Sequence, residues 1–326
     1  MPQGRTDNPR KHPPILRPIR ATSADWPLRR RYSVSISLRA IGIRTDGIES
    51  TAGYWNDASD EWQADGCDAL WRRHSDAVNI SFLSARLAPG KVARLLKTDV
   101  FDESSTAGLM PLLTQRAQSV VGMDISPAVL RAARARHPSL IEAAADVRWL
   151  PFAENSFDCI VSNSTLDHFT KIEELVQSLR ELARVLRPGG RLIVMLDNPS
   201  NPIVGLRNAL PFAWLNRVGI VPYYVGRTIG ARDLVQHLEA AGLSTNEVTY
   251  TLHCPRFLAV LATRLISRCQ PRTQQLLLRF LMAFEILNRF PTRAQTGYFV
   301  AVCASKQSEE ASKGPASLGT GCEARS

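Results

Sequence analysis

Short apolar runs alternate with segments of helical periodicity along the middle of the chain. Apolar runs at Val92–Thr98, Phe157–Ser162 and Arg191–Leu196 predict strands, and a further apolar run ends at Asp124. Between two of them, apolar residues recur at helical spacing from Ile172 until a Pro-Gly-Gly turn ends the pattern. Strands that alternate with helices predict an α/β fold with a doubly wound, mostly parallel sheet.

The later part of the chain supplies the remaining elements. Helices are predicted at Ala107–Arg116 and Asp233–Ala241, and the last two strands at Glu247–His253 and Gly297–Ala304. With 326 residues and 44% hydrophobic content, the chain can bury one large α/β core with additional segments around it.

Two strands of this pattern end in an acidic residue. Asp124 precedes a helix that Ser126 can cap, and Asp146 follows the next strand along the chain. Because ligands of parallel sheets bind outside the carboxyl ends of the strands, both carboxylates are expected where a nucleoside would lie. Asp124 can accept hydrogen bonds from two ribose hydroxyls and Asp146 from an adenine amine, with residues 148–152 as an apolar wall. The alternative is that both aspartates are solvated strand ends.

Three motifs carry a family resemblance. They are MDIS at 123–126, ADVRWLPFAENSFDCIVSNSTLDHF at 145–169 and LRELARVLRPGGRLIVML at 179–196. Together they resemble class I S-adenosylmethionine-dependent methyltransferases, specifically the broad group that includes quinone-biosynthesis methyltransferases, over Val92 to Asp197. The resemblance implies a Rossmann-like, seven-stranded sheet with an antiparallel final strand, and S-adenosylmethionine as the cofactor.

The resemblance also implies roles for individual residues. It places the ribose on Asp124, with Ile125 beside it, and the adenine against Asp146 and Val147. Asn163 is expected near the methionine end of the cofactor.

The loop after the first strand departs from the family's pattern. Residues 94–109 contain no G-x-G, although Gly108 lies 16 residues before Asp124, at the place of the family's last loop glycine. Side chains would therefore replace the close backbone approach that glycine allows. We expect Asp99 or Asp102 to hold the methionine ammonium and Lys97 or Thr98 to hold its carboxylate. A methyltransferase-fold binding protein without catalytic activity is the alternative that this loop leaves open.

His168 is the candidate general base, because the turn after the fourth strand brings it toward the transferred methyl group. A structural histidine that lines the pocket or caps the next helix is the alternative. His253 and the pair Tyr223-Tyr224 are weaker candidates from the outer segments. The run Asp197-Asn198-Pro199-Ser200 is similar to a motif that grips a flipped base, but it lacks an aromatic residue and follows the fifth strand.

The net charge of +10 is concentrated at one end of the chain. Residues 1–44 hold ten Arg or Lys against two Asp, which gives +8 and leaves +2 for the rest. Because residues 45–326 are nearly neutral, a nucleic-acid partner is not expected. The Pro- and Arg-rich segment 1–44 is predicted to be disordered, although such a composition is also typical of a transit peptide. Residues 306–326 are predicted to form a disordered tail.

Segments outside the alternating strands and helices are expected to determine which acceptor binds. Residues 45–90, rich in tryptophan, predict a helical lid or a helix pair packed on the sheet. Within the methyltransferase domain at 91–305, the segments 198–228 and 255–293 are additions, and the latter reads as a helical hairpin. Seven arginines against Glu285 give this hairpin a charge of +6, a balance typical of helices on anionic membranes. The alternative is a hairpin used for packing or dimerisation.

The six cysteines form no C-x-x-C pair, so neither a metal site nor a disulfide framework is expected. No apolar run of 18 residues is present, so no spanning helix is expected. These features favour a cytoplasmic protein. With the resemblance, they lead us to expect a methyltransferase that acts on a small acceptor of hydrophobic or lipid-like character. Nothing in the sequence identifies the acceptor.

Overall fold

A seven-stranded sheet forms the centre of the chain in a computed structural model, which describes residues 69–211, 228–255 and 270–307, together with residues 52, 53, 55, 226 and 258. The predictions for residues 1–44, for the tail beyond 307, for Tyr223-Tyr224 and for the first arm of the hairpin lie outside these residues. The strands are β1 (Val92–Lys97), β2 (Ala117–Asp124), β3 (Ile141–Ala144), β4 (Phe157–Asn163), β5 (Leu186–Asp197), β6 (Leu243–Thr251) and β7 (Phe299–Lys306).

The strand order is β3-β2-β1-β4-β5-β7-β6. β1 to β5 pair in parallel, whereas β7 runs antiparallel to both β5 and β6. The predicted mostly parallel, doubly wound sheet with an antiparallel final strand is therefore confirmed. The order reverses between β1 and β4, and this reversal opens a crevice at the carboxyl ends of the two strands.

Helices cover both faces of the sheet. Along the chain they are α1 (Ala69–Ser84), α2 (Phe101–Ser105), α3 (Met110–Arg116), α4 (Pro127–Arg136), α5 (Ile172–Val185), α6 (Pro202–Ala209), α7 (Ala231–Ala240), α8 (Pro271–Ala283) and α9 (Arg293–Thr296), with 3₁₀ turns at Leu166–His168 and Phe284–Arg289. None of the described helices is long and apolar enough to cross a membrane.

The core consists of two apolar layers, one on each face of the sheet. In β5, Leu192 and Val194 belong to the layer that includes residues of α5 and α7, while the intervening Ile193 belongs to the layer that includes residues of α3 and α4. This alternation follows from the two-residue period of a strand, and all three side chains are fully buried. Because both faces of β5 are covered, it reads as a continuous apolar run, the pattern from which this strand was predicted.

The boundaries of several elements differ from the sequence-based expectation. The helix expected at 107–116 begins only at Met110, as α3, because Gly108 takes a positive φ of 49° before it, and α2 precedes it as a separate helix that was not predicted. β5 begins at Leu186 rather than at Arg191, since the Pro-Gly-Gly turn lies inside the strand, where its register with β4 shifts. β6 ends at Thr251 and begins at Leu243, directly after Gly242, whose φ of 84° ends α7.

The segment expected to form a lid divides between two environments. Trp71 on α1 is 8% exposed and packs with Leu252 and Leu281, as the packing alternative predicts. Trp55 instead lies beside Phe101 and His168, with ring centroids 5.8 and 4.7 Å away. The lid therefore remains a prediction that rests on Trp55, while α1 belongs to the body of the fold.

Two asparagines after β5 fasten α6 to the segment that precedes β7. The Asn198 amide donates to the carbonyls of Ala294 and Gly297 at 2.6 and 2.9 Å. Asn201 donates to the carbonyls of Thr296 and Gly297, and its side-chain oxygen caps α6 by accepting from two backbone amides of the first turn. Within the run 197–200, Asn198 therefore has a structural role.

Removal of the Asn198 amide should lower the stability of the fold. Asn198 is fully buried, and Asn198→Ala removes its amide donor from the Ala294 carbonyl and one of the two donors from the Gly297 carbonyl. We therefore expect the free energy of unfolding to fall by about 1–3 kcal/mol. Urea denaturation followed by circular dichroism measures this loss. Asn246→Ala, at an exposed position of β6, is the control and should change stability by less than about 0.5 kcal/mol. Equal stability of both variants would contradict the fastening role.

Candidate functional site

A cavity of about 250 Å³ opens where β1 to β4 end. This volume is close to the lower end of the range for small-ligand pockets, about 300–1,000 Å³. Eight predicted site residues line the cavity: Thr98, Asp99, Asp124, Ile125, Asp146, Val147, Asn163 and His168. Asp102 also lines it. The cavity thus unites residues from four separate strand ends, as expected for the carboxyl edge of a parallel sheet.

Asp124 ends β2 with both carboxylate oxygens directed to backbone amides. Its Oδ1 accepts from the amide of Ser126 at 2.8 Å, and its Oδ2 accepts from that of Val100 at 3.2 Å. The Ser126 hydroxyl caps α4 by accepting from the Val129 amide, which fixes this turn. Because each carboxylate oxygen has two lone pairs, Asp124 retains acceptor capacity toward the cavity.

The first loop is built on a buried ion pair in place of the family's glycines. Lys97 Nζ lies 2.9 Å from Glu103 Oε2 and donates to the Asp99 carbonyl at 2.6 Å. The other oxygen of Glu103 accepts from the Leu109 amide at 2.9 Å. A Cβ at Gly108 would meet Glu103 Oε1 at 2.5 Å, so this glycine makes room for the glutamate. The sequence offered no sign of this pairing beyond the unusual residues themselves.

Lys97 and Gly108 are the two predicted site residues that do not line the cavity. Lys97 is 2% exposed, because its ammonium is turned into the loop. Burial alone would lower the pKa of Lys97, but Glu103 and Asp99 hold it above its ordinary value. Lys97 therefore stays charged inside the loop, and the structure does not support its expected contact with a methionine carboxylate. Gly108 shapes the loop from behind it.

Several carboxyl groups surround this single lysine. Burial, together with the charge of Asp99, raises the pKa of Asp124 to about 7. Burial and the charge of Glu103 raise the pKa of Asp102 to about 7 and that of Asp76, on α1, to about 6. Because buried carboxylates of like charge resist ionisation, a cation bound beside them would favour their charged forms, so this end of the cavity favours a cationic ligand.

Asp146 is held by an arginine that sequence reasoning did not single out as a site residue. Arg148 donates to both carboxylate oxygens of Asp146 at 2.5–3.0 Å, and its third nitrogen lies 2.5 Å from Glu174. The Arg148 guanidinium also lies over the Phe169 ring at 5.3 Å. The expected apolar wall is different as well, because Trp149 is 60% exposed and Leu150 packs in the core. Val147, Ile125 and Met123 supply the apolar lining instead.

Asn163 presents a buried acceptor that has no partner among the described residues. Its Oδ1 is inaccessible to solvent and makes no hydrogen bond there. Beside it, the Thr98 hydroxyl lies 3.1 Å from the Ser162 hydroxyl and 2.7 Å from that of Thr165, which ties the end of β1 to the turn after β4. Buried acceptors without a protein partner are uncommon, and Asn163 lines the cavity, so its side chain is a candidate ligand contact.

His168 lies in the cavity wall at the end of the 3₁₀ turn. Its Nε2 is 3.7 Å from Asp167 Oδ1, and its ring meets Trp55 edge to face. Asp167 is fully buried and accepts from the Ser164 hydroxyl and from the Asp197 amide. The structure thus brings His168 to the cavity, whereas His253 bonds Thr296 and the Tyr250 carbonyl outside the lining.

No cluster of metal-ligating residues occurs in the described part of the chain. Among the same residues the three cysteines, Cys159, Cys254 and Cys303, are buried and free. The polar groups around the cavity are carboxylates, an amide, hydroxyls, a guanidinium and an imidazole.

Comparison with known proteins finds a domain model that matches part of the chain. Residues 104–194 match the family model described as "Methyltransferase domain". The chain is 32% identical over 163 residues to the "Biotin biosynthesis bifunctional protein BioHC" of Cellvibrio japonicus, covering 49% of this chain and 30% of that protein. It is 35% identical over 129 residues to a "Demethylmenaquinone methyltransferase" of Beutenbergia cavernae, covering 40% of this chain and 48% of that one.

A solved structure is similar over a larger part of the chain. It is a "SAM-dependent methyltransferase, possible histamine N-methyltransferase" from Thermotoga maritima, 16% identical, covering 74% of this chain and 92% of that one with a TM-score of 0.49. The chain spans less than two thirds of the length of the two curated relatives. The resemblance to class I methyltransferases, including those of quinone biosynthesis, is confirmed.

The raised carboxyl pKa values predict that stability falls as the pH rises. Between about pH 4 and pH 7 the folded chain retains protons on Asp76, Asp102 and Asp124 that the unfolded chain has lost, so the free energy of unfolding decreases across this window. Asp102→Asn should reduce this decrease by at least about 1 kcal/mol.

Urea denaturation at about pH 5 and about pH 8 tests this dependence. Asp233→Asn, at an exposed position of α7, is the matched control and should keep the slope of the wild-type chain. A stability that rises across this window, or an unchanged slope in Asp102→Asn, would contradict the charge arrangement.

Proposed function

We propose that this chain is an S-adenosylmethionine-dependent methyltransferase that acts on a small, hydrophobic or lipid-like acceptor. The observation that carries the proposal is the cavity at the sheet's order reversal, where Asp124, Val147 and Asn163 converge from three strand ends. The match of residues 104–194 to a methyltransferase domain supports the same activity.

The nucleoside end of the cavity fits the cofactor. Asp124 would hold the ribose hydroxyls through its remaining lone pairs, fixed in position by the amides of Val100 and Ser126. Ile125, Val147 and Met123 would face the adenine. Asp146 would accept the adenine amine only if the Arg148 guanidinium moves toward Glu174, because Arg148 now bonds both oxygens of Asp146.

The methionine end fits a group with net positive charge. The Asn163 Oδ1, which lacks a partner among the described residues, would accept from the ammonium, and Asp99 or Asp102 would neutralise it. Thr98, which lines the cavity, is the candidate for the methionine carboxylate rather than Lys97, which does not line it.

S-adenosylmethionine supplies an electrophilic methyl group for an in-line displacement. The protein's contribution is to orient the acceptor and exclude water, which can account for several kcal/mol of the barrier. Trp55, Phe101 and Phe169 form an aromatic wall next to His168. His168 would take the proton of an acceptor hydroxyl or acidic carbon, with Asp167 positioning its ring.

The acceptor class rests on the aromatic wall and on the relatives. The relative from Beutenbergia cavernae is named a demethylmenaquinone methyltransferase, which favours a quinone-like acceptor for this chain as well. We place the reaction in the cytoplasm, at the surface of a membrane that would hold such an acceptor.

Neutralising Asp124 should weaken cofactor binding. Asp124→Asn loses charge-assisted hydrogen bonds to the ribose worth roughly 1.5–3 kcal/mol, so we expect the Kd for S-adenosylmethionine to rise about 10- to 100-fold. The Kd for S-adenosylhomocysteine should rise by the same factor, because this ligand has the same ribose. Titration calorimetry measures both constants, and Asp233→Asn is the control. An unchanged Kd in a folded Asp124→Asn variant would contradict the ribose assignment.

Replacing His168 should slow methyl transfer without weakening the affinity for the cofactor. His168→Gln removes the base, and we expect kcat to fall roughly 10²- to 10⁴-fold while the Kd of the cofactor stays within about threefold. Transfer of labelled methyl to a dihydroxynaphthalene measures kcat, and His237→Gln on α7 is the control. Normal turnover by His168→Gln would leave the histidine with a structural role only.

A further inference from the structure

An outward surface on α8 and the 3₁₀ turn after it combines large apolar and basic side chains. Leu276, Phe280, Ile286 and Phe290 are 65, 59, 55 and 51% exposed. Arg272, Arg279 and Arg289 are exposed among them. We call these seven residues the α8 surface. Single exposed apolar residues are common on protein surfaces. Four large ones within fifteen positions are typical of a surface that binds a partner.

The helical spacing explains how α8 exposes this set. Arg272, Leu276, Arg279 and Phe280 stand at intervals of four, seven and eight, so they share one side of the helix. The opposite side packs inward, where Leu277 and Leu281 join Trp71 of α1 in an apolar cluster. α8 is thus apolar on both sides, whereas a helix that only packs on a fold needs one apolar side.

The charge of the α8 surface is of one sign. The only acidic residue from 271 to 296 is Glu285, and it is turned inward. Its two oxygens accept from the amides of His253 and Leu252 at 2.8 and 3.2 Å. The exposed arginines are therefore not neutralised by an acid of their own segment, and the surface is complementary to a negatively charged partner.

The α8 surface lies at the same edge of the sheet as the cavity. β6 runs in the direction of β5, because both are antiparallel to β7, so its carboxyl end lies at the edge where β1 to β4 open into the cavity. Glu285, in the 3₁₀ turn after α8, accepts from the amides of Leu252 and His253 directly past that end of β6. α6, which follows β5 at this edge, exposes Ile203 and Leu206, at 47 and 63%. Its Arg207 is instead turned inward to Asp197, 2.6 Å away.

We propose that the α8 surface docks on an anionic lipid bilayer, with its apolar side chains in the interfacial layer and its arginines on lipid phosphates. An interfacial helix needs this combination of large apolar residues and Arg, whereas a protein partner of ordinary composition would not require the arginines to stand unopposed. Delivery of a hydrophobic acceptor to the cavity from this membrane rests on the proposed function, but the docking itself does not.

Vesicle co-sedimentation of the full chain tests the docking. We expect binding to vesicles of phosphatidylglycerol and phosphatidylcholine at low salt, weakened at about 0.5 M salt, and little binding to pure phosphatidylcholine. The triple variant Arg272→Gln, Arg279→Gln, Arg289→Gln should bind at least about tenfold more weakly. Leu276→Ser should also weaken binding, because it removes an inserted side chain.

Matched controls separate the α8 surface from total charge. Arg131→Gln, Arg180→Gln and Arg232→Gln remove three exposed arginines from α4, α5 and α7 and should leave vesicle binding unchanged. Ile141→Ser, at an exposed apolar position of β3, is the control for Leu276→Ser. Undiminished binding by the first triple variant would assign the affinity to the basic residues 1–44 and overturn the proposal. Equal losses in both triple variants, or no binding by the wild-type chain, would also overturn it.

Cofactor binding is measured on the same variants without vesicles. A thermal shift with S-adenosylmethionine that is the same in the wild-type chain and in the variants shows that the cavity is intact. Failure of vesicle binding with a normal thermal shift then rejects the docking alone. Vesicle binding without any thermal shift rejects the proposed methyltransferase function and leaves the docking in place.

Discussion

The ion pair between Lys97 and Glu103 is the interaction on which the cavity depends. It is buried at the end of β1, where related folds let a glycine-rich backbone approach the ligand, and it fixes the loop from Thr98 to Leu109 through hydrogen bonds to the Asp99 carbonyl and the Leu109 amide. Removing one partner of such a pair leaves an uncompensated buried charge, a cost of about 3–5 kcal/mol. The pair therefore holds Asp99 and Asp102 in the cavity wall.

The same pair determines the charge of the site. One lysine faces Asp76, Asp99, Asp102 and Glu103, and Asp124 lies close enough to Asp99 for their charges to interact. Burial and the repulsion among these carboxylates raise the pKa values of Asp76, Asp102 and Asp124. A positively charged ligand would reduce this repulsion, and the reduction would contribute to the free energy of binding.

The sequence predicted what depends on periodicity and strand ends. The order of strands and helices, the antiparallel final strand implied by the resemblance, and the meeting of Asp124, Asp146, Asn163 and His168 follow from local patterns together with one fold rule. Side-chain partners could not be derived in the same way. Arg148 reaches Glu174, 26 residues further along the chain, and Trp55 reaches His168 across more than a hundred residues. Neither contact leaves a periodic signal.

The added segment 255–293 also shows what local and what long-range information can predict. The composition of 255–293 already indicated an arginine-rich helical segment, yet only the packing of Leu277 and Leu281 reveals which side of α8 faces outward. The strands of a parallel sheet gather their carboxyl ends on one edge, so a segment inserted after β5 or β6 begins at the edge where β1 to β4 present the cavity. Arginines and apolar side chains can be added in such a segment while the sheet stays unchanged.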